Sequence, residues 1–196
     1  MQEKRSIRSN KERTETTRAA LVNSARALFV EKGYAETGTP EIVTRAKVTR
    51  GALYHHFKDK ADLFRAVIEA EMQEVAASIN DQTEGIANPL TALSTGATAY
   101  FEAMTIPGRA RLLLLEGPVV LGVIEMERLD RLTGGQTLLA GLEEAHRQGL
   151  IGDIPRAALA DLLAAAFDRA ALAIAEGHPP APYRAAIDAL LDGIRV

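Results

Sequence analysis

The chain has 196 residues, of which 47% are hydrophobic, 25% charged and 5% aromatic, the composition of a soluble globular protein of one or two domains. It contains no cysteine, which excludes disulfides, thiol nucleophiles and Cys-ligated zinc. No apolar run approaches the roughly 18–20 residues of a membrane span, and Met1-Gln2-Glu3-Lys4-Arg5-Ser6-Ile7-Arg8 holds no apolar signal segment, so the expected location is the cytoplasm without membrane attachment.

The formal net charge of −3 is unevenly spread. Residues 1–66 hold 14 Lys and Arg against 8 Asp and Glu, whereas residues 67–196 hold 9 Arg against 18 acidic residues. The basic third suits a polyanion; chance clustering of solvated charge is the plainer alternative.

Taken in order, residues 1–13 are polar and basic and are expected to form a flexible arm, either a solvated tail or a segment that tracks phosphates. From Thr14 a helical stripe begins, with Leu21, Ala25, Leu28 and Phe29 on one face, and Gly33 is its expected terminator. Thr39 reads as an N-cap, Pro40 as the first helical position and Glu41 as first-turn negative charge. Ile42, Val43 and Ala46 supply the apolar side of this short helix. Lys47-Val48 interrupts, Thr49 caps a third helix over 49–55, Phe57 closes it, and a fourth starts near Lys60 with Leu63, Phe64, Val67 and Ile68 inward. Later helical segments are expected near 89–105, 107–116, 118–148, 155–177 and 181–193, with Gly117-Pro118 as one break and Thr133-Gly134-Gly135 kinking or splitting the long one. No strand alternation and no fixed repeat is present, so the fold class is all-α, of about nine helices.

The two short helices at 39–46 and 49–55 form a helix-turn-helix, whose second helix enters the major groove of DNA. Thr39 and Thr49 offer hydroxyls and helix N-termini to phosphate oxygens. Arg50 can donate bidentately to guanine. Gly51 removes a side chain where helix and DNA approach, and Tyr54 and His55 share or adjoin that face. Lys60 can reach a flanking phosphate. Packing is the alternative role for Tyr54. The His55-His56 pair does not suit a metal, because adjacent helical residues point about 100° apart while zinc pairs use i, i+4 spacing. No metal and no cofactor is expected.

The runs Phe29-Val30-Glu31-Lys32-Gly33-Tyr34, Thr37-Gly38-Thr39-Pro40-Glu41-Ile42-Val43 and Val48-Thr49-Arg50-Gly51-Ala52-Leu53-Tyr54-His55-His56-Phe57-Lys58-Asp59-Lys60-Ala61-Asp62-Leu63-Phe64 closely resemble the DNA-binding domain of the TetR family of bacterial transcriptional repressors. The resemblance covers about residues 14–66. It implies that the helix at 49–55 reads bases, that Thr39, Thr49, His56 and Lys60 contact phosphate, and that Ile42, Leu53 and Phe57 are core. One departure stands in the turn, where the family usually has Gly and this chain has Lys47; a positive φ there costs Lys about 1 kcal/mol relative to Gly.

The resemblance further implies that residues 67–196 form a helical effector-binding and dimerisation domain. The run from Ala157 to Ala175 is apolar over most of its circumference, so it needs cover on more than one side. Leu159, Leu163, Phe167, Ala170 and Ile174, with Ile187 and Leu191 of the following helix, are the expected contribution to a four-helix homodimer interface; an internal helix in a monomer is the alternative. An apolar cavity walled by Tyr100, Phe101, Met104, Leu113, Val120 and Ile124 is expected to take an unidentified small-molecule effector, with Glu116, Glu125 or Arg128 as polar anchor. The expected function is that of a dimeric repressor bound to a palindromic double-stranded DNA operator and released by its effector, with the helix at 60–80 as lever. Two other classes remain open. One is an architectural DNA-binding protein without effector; the other is an enzyme, for which no clustered His, carboxylate or Ser motif and no phosphate loop is visible.

Overall fold

The computed structural model describes residues 2–133 and 137–196, with the backbone alone for residues 2–10. Helix α1 (Gln2–Glu36) carries Leu21, Ala25, Leu28 and Phe29 on one buried face, as their spacing requires. It is helical from Gln2, where the sequence reading expects an arm without regular structure. Residues 2–13 contain neither Gly nor Pro and are rich in Glu, Lys, Arg and Gln, which propagate an existing helix at little cost. The helical backbone breaks at Gly33, which adopts φ 83° and ψ 166°. Buried Thr37 then ties the chain back through its hydroxyl, which donates to the carbonyls of Gly33 (2.7 Å) and Leu28 (3.3 Å).

Helices α2 (Thr39–Ala46), α3 (Arg50–His56) and α4 (Lys60–Thr83) follow. Thr49 caps α3 as expected, its hydroxyl accepting from the Ala52 amide at 3.1 Å. Thr39 does not cap α2. Gly38 occupies that position and Thr39 is the first helical residue, which leaves its hydroxyl free to face α3. Asp59 caps α4 by accepting from the Asp62 amide, and Asp62 accepts in return from the Lys58 amide. Helix α4 runs unbroken through residue 66, where the sequence reading divides the chain.

The second half is also helical. It comprises α5 (Pro89–Met104), α6 (Arg109–Arg111), a π-helical segment (Leu112–Glu116), α7 (Gly117–Leu121), α8 (Val123–Thr133), α9 (Thr137–Arg147), α10 (Arg156–Ala175) and α11 (Pro180–Asp192). Among the described residues the only β pairing is an isolated bridge between Ile151 and Arg195. The fold is all-α. Helix α5 is the hub, packed against α4, α9, α10 and α11.

Gly117-Pro118 is not a break. The Gly117 amide reaches back five residues to the Leu112 carbonyl, so the helical path has already shifted its register before Pro118, which has no amide to donate. The chain turns instead at Gly122, with φ 84°. The expected kink at Thr133-Gly134-Gly135 falls, beyond Thr133, outside the described residues; separate helices flank it.

One contiguous core runs from Leu21 to Leu191 through both halves. At its centre Phe29, Tyr34 and Phe64 meet edge to face or tilted, with centroids 4.9–5.7 Å apart. Beside it lies a buried ion cluster. Glu71 of α4 accepts from Arg26 Nε of α1 at 2.6 Å and from Arg109 Nε at 2.7 Å, and Arg109 also donates to the Ala103 carbonyl. No described helix is long and apolar enough to cross a membrane.

Candidate nucleic-acid interface and effector cavity

The helix-turn-helix is set by a two-sided α3. Leu53 is fully buried and Phe57 nearly so, which anchors the helix on α1 and α2, while Thr49, Arg50, Gly51, Tyr54 and His55 face solvent. The Arg50 guanidinium lies over the Tyr54 ring at 5.5 Å from its centroid, so the two side chains form one cationic, aromatic edge. Hydrogen bonding with the Thr39 hydroxyl, and then with Arg50, holds the Tyr54 phenol below its ordinary pKa. A Cβ added at Gly51 would meet only Thr49 Oγ1, at 3.9 Å. No internal packing therefore demands glycine there. His56 turns partly inward beside Arg18 and Phe57; burial, then the charges of His55 and Arg18, holds its pKa below the usual value.

Lys47 in the turn adopts φ 55° and ψ 40°, the one left-handed non-glycine among the described residues, and its side chain is exposed. Lys47→Gly is therefore expected to raise unfolding free energy by about 0.5–1 kcal/mol while removing a cation from the α2–α3 turn. Urea titration checks this; an unchanged or lower midpoint would show that the turn carries no such strain. Lys60, expected at a phosphate, is engaged within the protein. Its ammonium donates to the carbonyls of Tyr34 (2.9 Å) and Thr37 (3.1 Å) and sits 4.2 Å from the centre of the Tyr34 ring. These contacts add to the Thr37 amide, which also donates to the Tyr34 carbonyl, in tying the chain together after the break at Gly33.

A cavity of about 520 Å³ lies between α4, α5, the π segment, α8, α9 and α10. Small residues line part of it, among them Ala76, Ala92, Gly96, Gly141 and Ala164. Met72, Val75, Ile79, Leu93, Leu113 and Phe167 make its wall apolar. Its polar groups are concentrated on α8, α10 and α5: Glu127, Asp130 and Asp168, with the Tyr100 hydroxyl donating to Asp168 Oδ1 at 2.6 Å. Burial pushes Asp168 above its ordinary pKa, with the Tyr100 hydrogen bond pulling back and the Asp130 charge adding to the rise. Burial and then the Asp168 charge push Tyr100 well above 10.

Of the residues expected at the cavity, Tyr100 and Leu113 line it, and five do not. Phe101 and Met104 lie on the other side of α5, fully enclosed in the core. Val120 is half-buried on α7 away from the hollow, and Ile124, 82% exposed, projects to solvent past the turn at Gly122. Glu116 instead accepts from the Tyr34 amide at 2.9 Å and pairs with Arg111. The other suggested anchors are also elsewhere: Glu125 pairs with Arg128 and, across to α4, with Arg65, which together hold it at a pKa of about 2. A carboxylate inside the apolar run 157–175, Asp168, was the signal that could have located the true polar end.

The cavity is joined to the helix-turn-helix through two routes. Helix α4 starts at Lys60, tied to the end of α1, and lines the cavity from Met72 to Thr83. The π segment puts Leu113 and Leu114 on the cavity wall, and the residues at its two ends grip α1: Arg111 donates to the carbonyls of Phe29 (2.6 Å) and Val30 (2.9 Å), Glu116 accepts from Tyr34.

The expected dimer residues also need correction. Leu163, Ala170, Ile174, Ile187 and Leu191 are buried within the chain, and Leu159 and Phe167 are half-buried against the same core. Helix α10 is apolar over most of its circumference, and α5 and α9 cover this side of it. Its open side carries Ala158, Leu162 and Ala165, with Leu162 70% exposed, and α11 exposes Ala186 and Leu190.

A family model described as bacterial regulatory proteins of the tetR family matches residues 21–67, and one described as a tetracyclin repressor-like C-terminal domain matches residues 90–194. The Transposon Tn10 TetC protein of Escherichia coli is 35% identical over 125 residues, 63% of this chain and 63% of that protein. The HTH-type transcriptional regulator AcrR of Shigella flexneri is 33% identical over 108 residues, 55% of this chain and 50% of that protein. The chain thus spans less than two thirds of the length of these curated relatives. A crystal structure of a TetR-family transcriptional regulator from Pectobacterium atrosepticum superposes with a TM-score of 0.72 at 30% identity, covering 94% of this chain and 97% of that one.

Proposed function

The chain belongs to the tetR family of bacterial regulatory proteins, and from that premise we propose that it is a cytoplasmic transcriptional repressor, binding a palindromic DNA operator as a homodimer and released by a small-molecule effector. The observation that carries this reading is the solvent-facing edge of α3, where Thr49, Arg50, Gly51, Tyr54 and His55 stand together on a helix whose opposite side is anchored by buried Leu53. Two such helices, one from each subunit, would enter successive major grooves. Thr39 and His56 flank that edge and are the residues proposed to meet phosphates. Lys60 shapes the support beneath it and retains one N–H for a phosphate.

Mobility-shift titration on the gene's own upstream DNA tests the reading. Arg50→Ala and Tyr54→Ala are each expected to weaken specific binding by about 1–3 kcal/mol, roughly five- to 150-fold. Retained affinity in both variants would sink the assignment of α3.

The open faces of α10 and α11 are the surface proposed to pair the subunits. Leucines this exposed on two adjacent helices, with small residues around them, suit close packing against a second copy. Leu162→Glu is expected to shift the chain to monomer in sedimentation velocity and to weaken operator binding with it; a dimer that persists would move the interface elsewhere.

Effector release then requires an occupant that prefers the state whose α3 helices no longer match the half-site spacing. Helix α4 and the π segment are the two elements that touch both the cavity and α1, and through them a change in cavity volume reaches the helix-turn-helix.

A further inference from the structure

Resting on the reading of α3 as the helix that enters the major groove, we propose that Lys47, in the turn between α2 and α3, contacts the DNA backbone, its ammonium meeting a phosphate beside Thr49. The turn itself does not call for lysine. The Lys47 amide donates to the Thr44 carbonyl at 3.2 Å, and the Val48 amide reaches back to the Val43 carbonyl at 3.0 Å. These paired bonds end a helix through one left-handed residue, and glycine is the usual occupant because a Cβ there crowds the following carbonyl. Val43 and Val48 pack against the core from either side of the turn, so the fold imposes φ 55° on whatever residue stands between Ala46 and Val48.

The lysine side chain offsets none of that strain inside the chain. It is exposed and makes no hydrogen bond or ion pair among the described residues. Other cations around α2 are engaged within the protein. Arg45 pairs with Glu31 at 2.7 Å and Lys32 with Glu41 at 2.8 Å, while Lys60 is held by the Tyr34 and Thr37 carbonyls. A strained residue without an internal partner points to a use outside the fold. The reach suits a phosphate. Lys47 and Thr49 are both exposed with half-buried Val48 between them, and their Cα atoms are at most about 7 Å apart. An ammonium on a flexible four-carbon stem covers the surface around Thr49. Such a contact carries no sequence information of its own; it fixes the register in which Arg50 and Tyr54 meet the bases.

The test uses the full chain and two duplexes of equal length, one from the gene's own upstream DNA and one of random sequence. Anisotropy titrations run from about 50 to 200 mM salt. Lys47→Gly and Lys47→Asn remove the charge and suit a left-handed backbone, whereas Lys47→Arg keeps both charge and strain. The Gly and Asn variants are expected to bind both duplexes at least about threefold more weakly at low salt. Their slope of log affinity against log salt should be shallower by about 0.9 for each subunit on the DNA. Lys47→Arg should match the parent within about twofold. The urea midpoint of Lys47→Gly should meanwhile rise, and weaker binding by a more stable chain is a combination that a merely structural lysine does not give. An unchanged slope in the Gly and Asn variants, an equal loss in Lys47→Arg, a loss on the upstream duplex alone, or a lower urea midpoint in Lys47→Gly would each overturn the proposal. Arg50→Ala, titrated alongside, reads the α3 assignment: it should narrow the preference for the upstream duplex, which the Lys47 variants leave within about twofold. Preference kept in Arg50→Ala while Lys47→Gly flattens the slope would sink the α3 reading and leave the phosphate contact standing; the converse pattern would leave α3 and remove Lys47. A parent that binds neither duplex overturns both.

Discussion

Glu71→Ala is expected to destabilise the protein by about 3–5 kcal/mol, because it leaves Arg109 charged, buried and without its partner. Glu71 is 4% exposed and Arg109 8%. The carboxylate accepts three N–H groups, two from Arg26 and one from Arg109, and thereby ties α1, α4 and the start of the second half together. In a domain of this size the loss corresponds to a melting temperature lower by roughly 10 °C or more. Glu71→Gln, which keeps an acceptor but no charge, should fall between. A drop in stability below about 1 kcal/mol in Glu71→Ala would mean that water enters and solvates the arginines, and that the cluster is ornamental to stability.

The same group makes a prediction about acid. Burial by itself would raise the Glu71 pKa, but hydrogen bonds from Arg26 and Arg109, with their charges, outweigh it and hold the carboxyl below its ordinary value. A depressed carboxylate contributes stability that is present above its unfolded pKa and lost as pH falls through the folded one. Stability of the parent should therefore decline on acidification below the usual carboxylate range, and the decline should be shallower in Glu71→Gln.

Phe64→Ala is the second large effect, at about 3–5 kcal/mol. Phe64 is completely buried, and its ring meets Phe29 at 5.1 Å and Tyr34 at 4.9 Å, both edge to face. Tyr34 in turn carries Lys60 on its face and offers its carbonyl to the same ammonium. Emptying the Phe64 site removes the support of the α1 break, on which α2 and α3 rest. Operator affinity should fall together with the denaturant midpoint, whereas Phe64→Leu should recover most of both. A variant that loses stability but binds DNA like the parent would show that the α3 face is positioned independently of this aromatic cluster.

The local elements were largely legible because their causes are local. Thr49 caps α3, Phe57 ends it and Gly33 breaks α1 through interactions within a few residues of chain. The α1 and α4 stripes are buried because helical spacing puts them on one face. Thr39 was misread since Gly38 fills the cap equally well, and both choices look alike in sequence. Pro118 was misread since the π segment before it depends on how Arg111 and Glu116 grip α1 across the fold.

What the sequence by itself determined, then, is the all-α class, the helix-turn-helix with its outward residues, and the basic-to-acidic division of the chain. These follow from periodicity, caps and charge, which are properties of neighbouring residues. Only the tertiary structure decided which side of α10 is open, that Leu163 and Ile187 are core while Leu162 and Leu190 are surface, and that Asp168 rather than Glu116 meets the cavity. A helix apolar over most of its circumference carries little mark of its own to say which face is covered. A cavity is a gap between residues distant in sequence, so no local pattern encodes it. The Arg26–Glu71–Arg109 cluster joins positions 38 and 45 residues apart for the same reason. Each charge looks like solvated surface until packing removes the water.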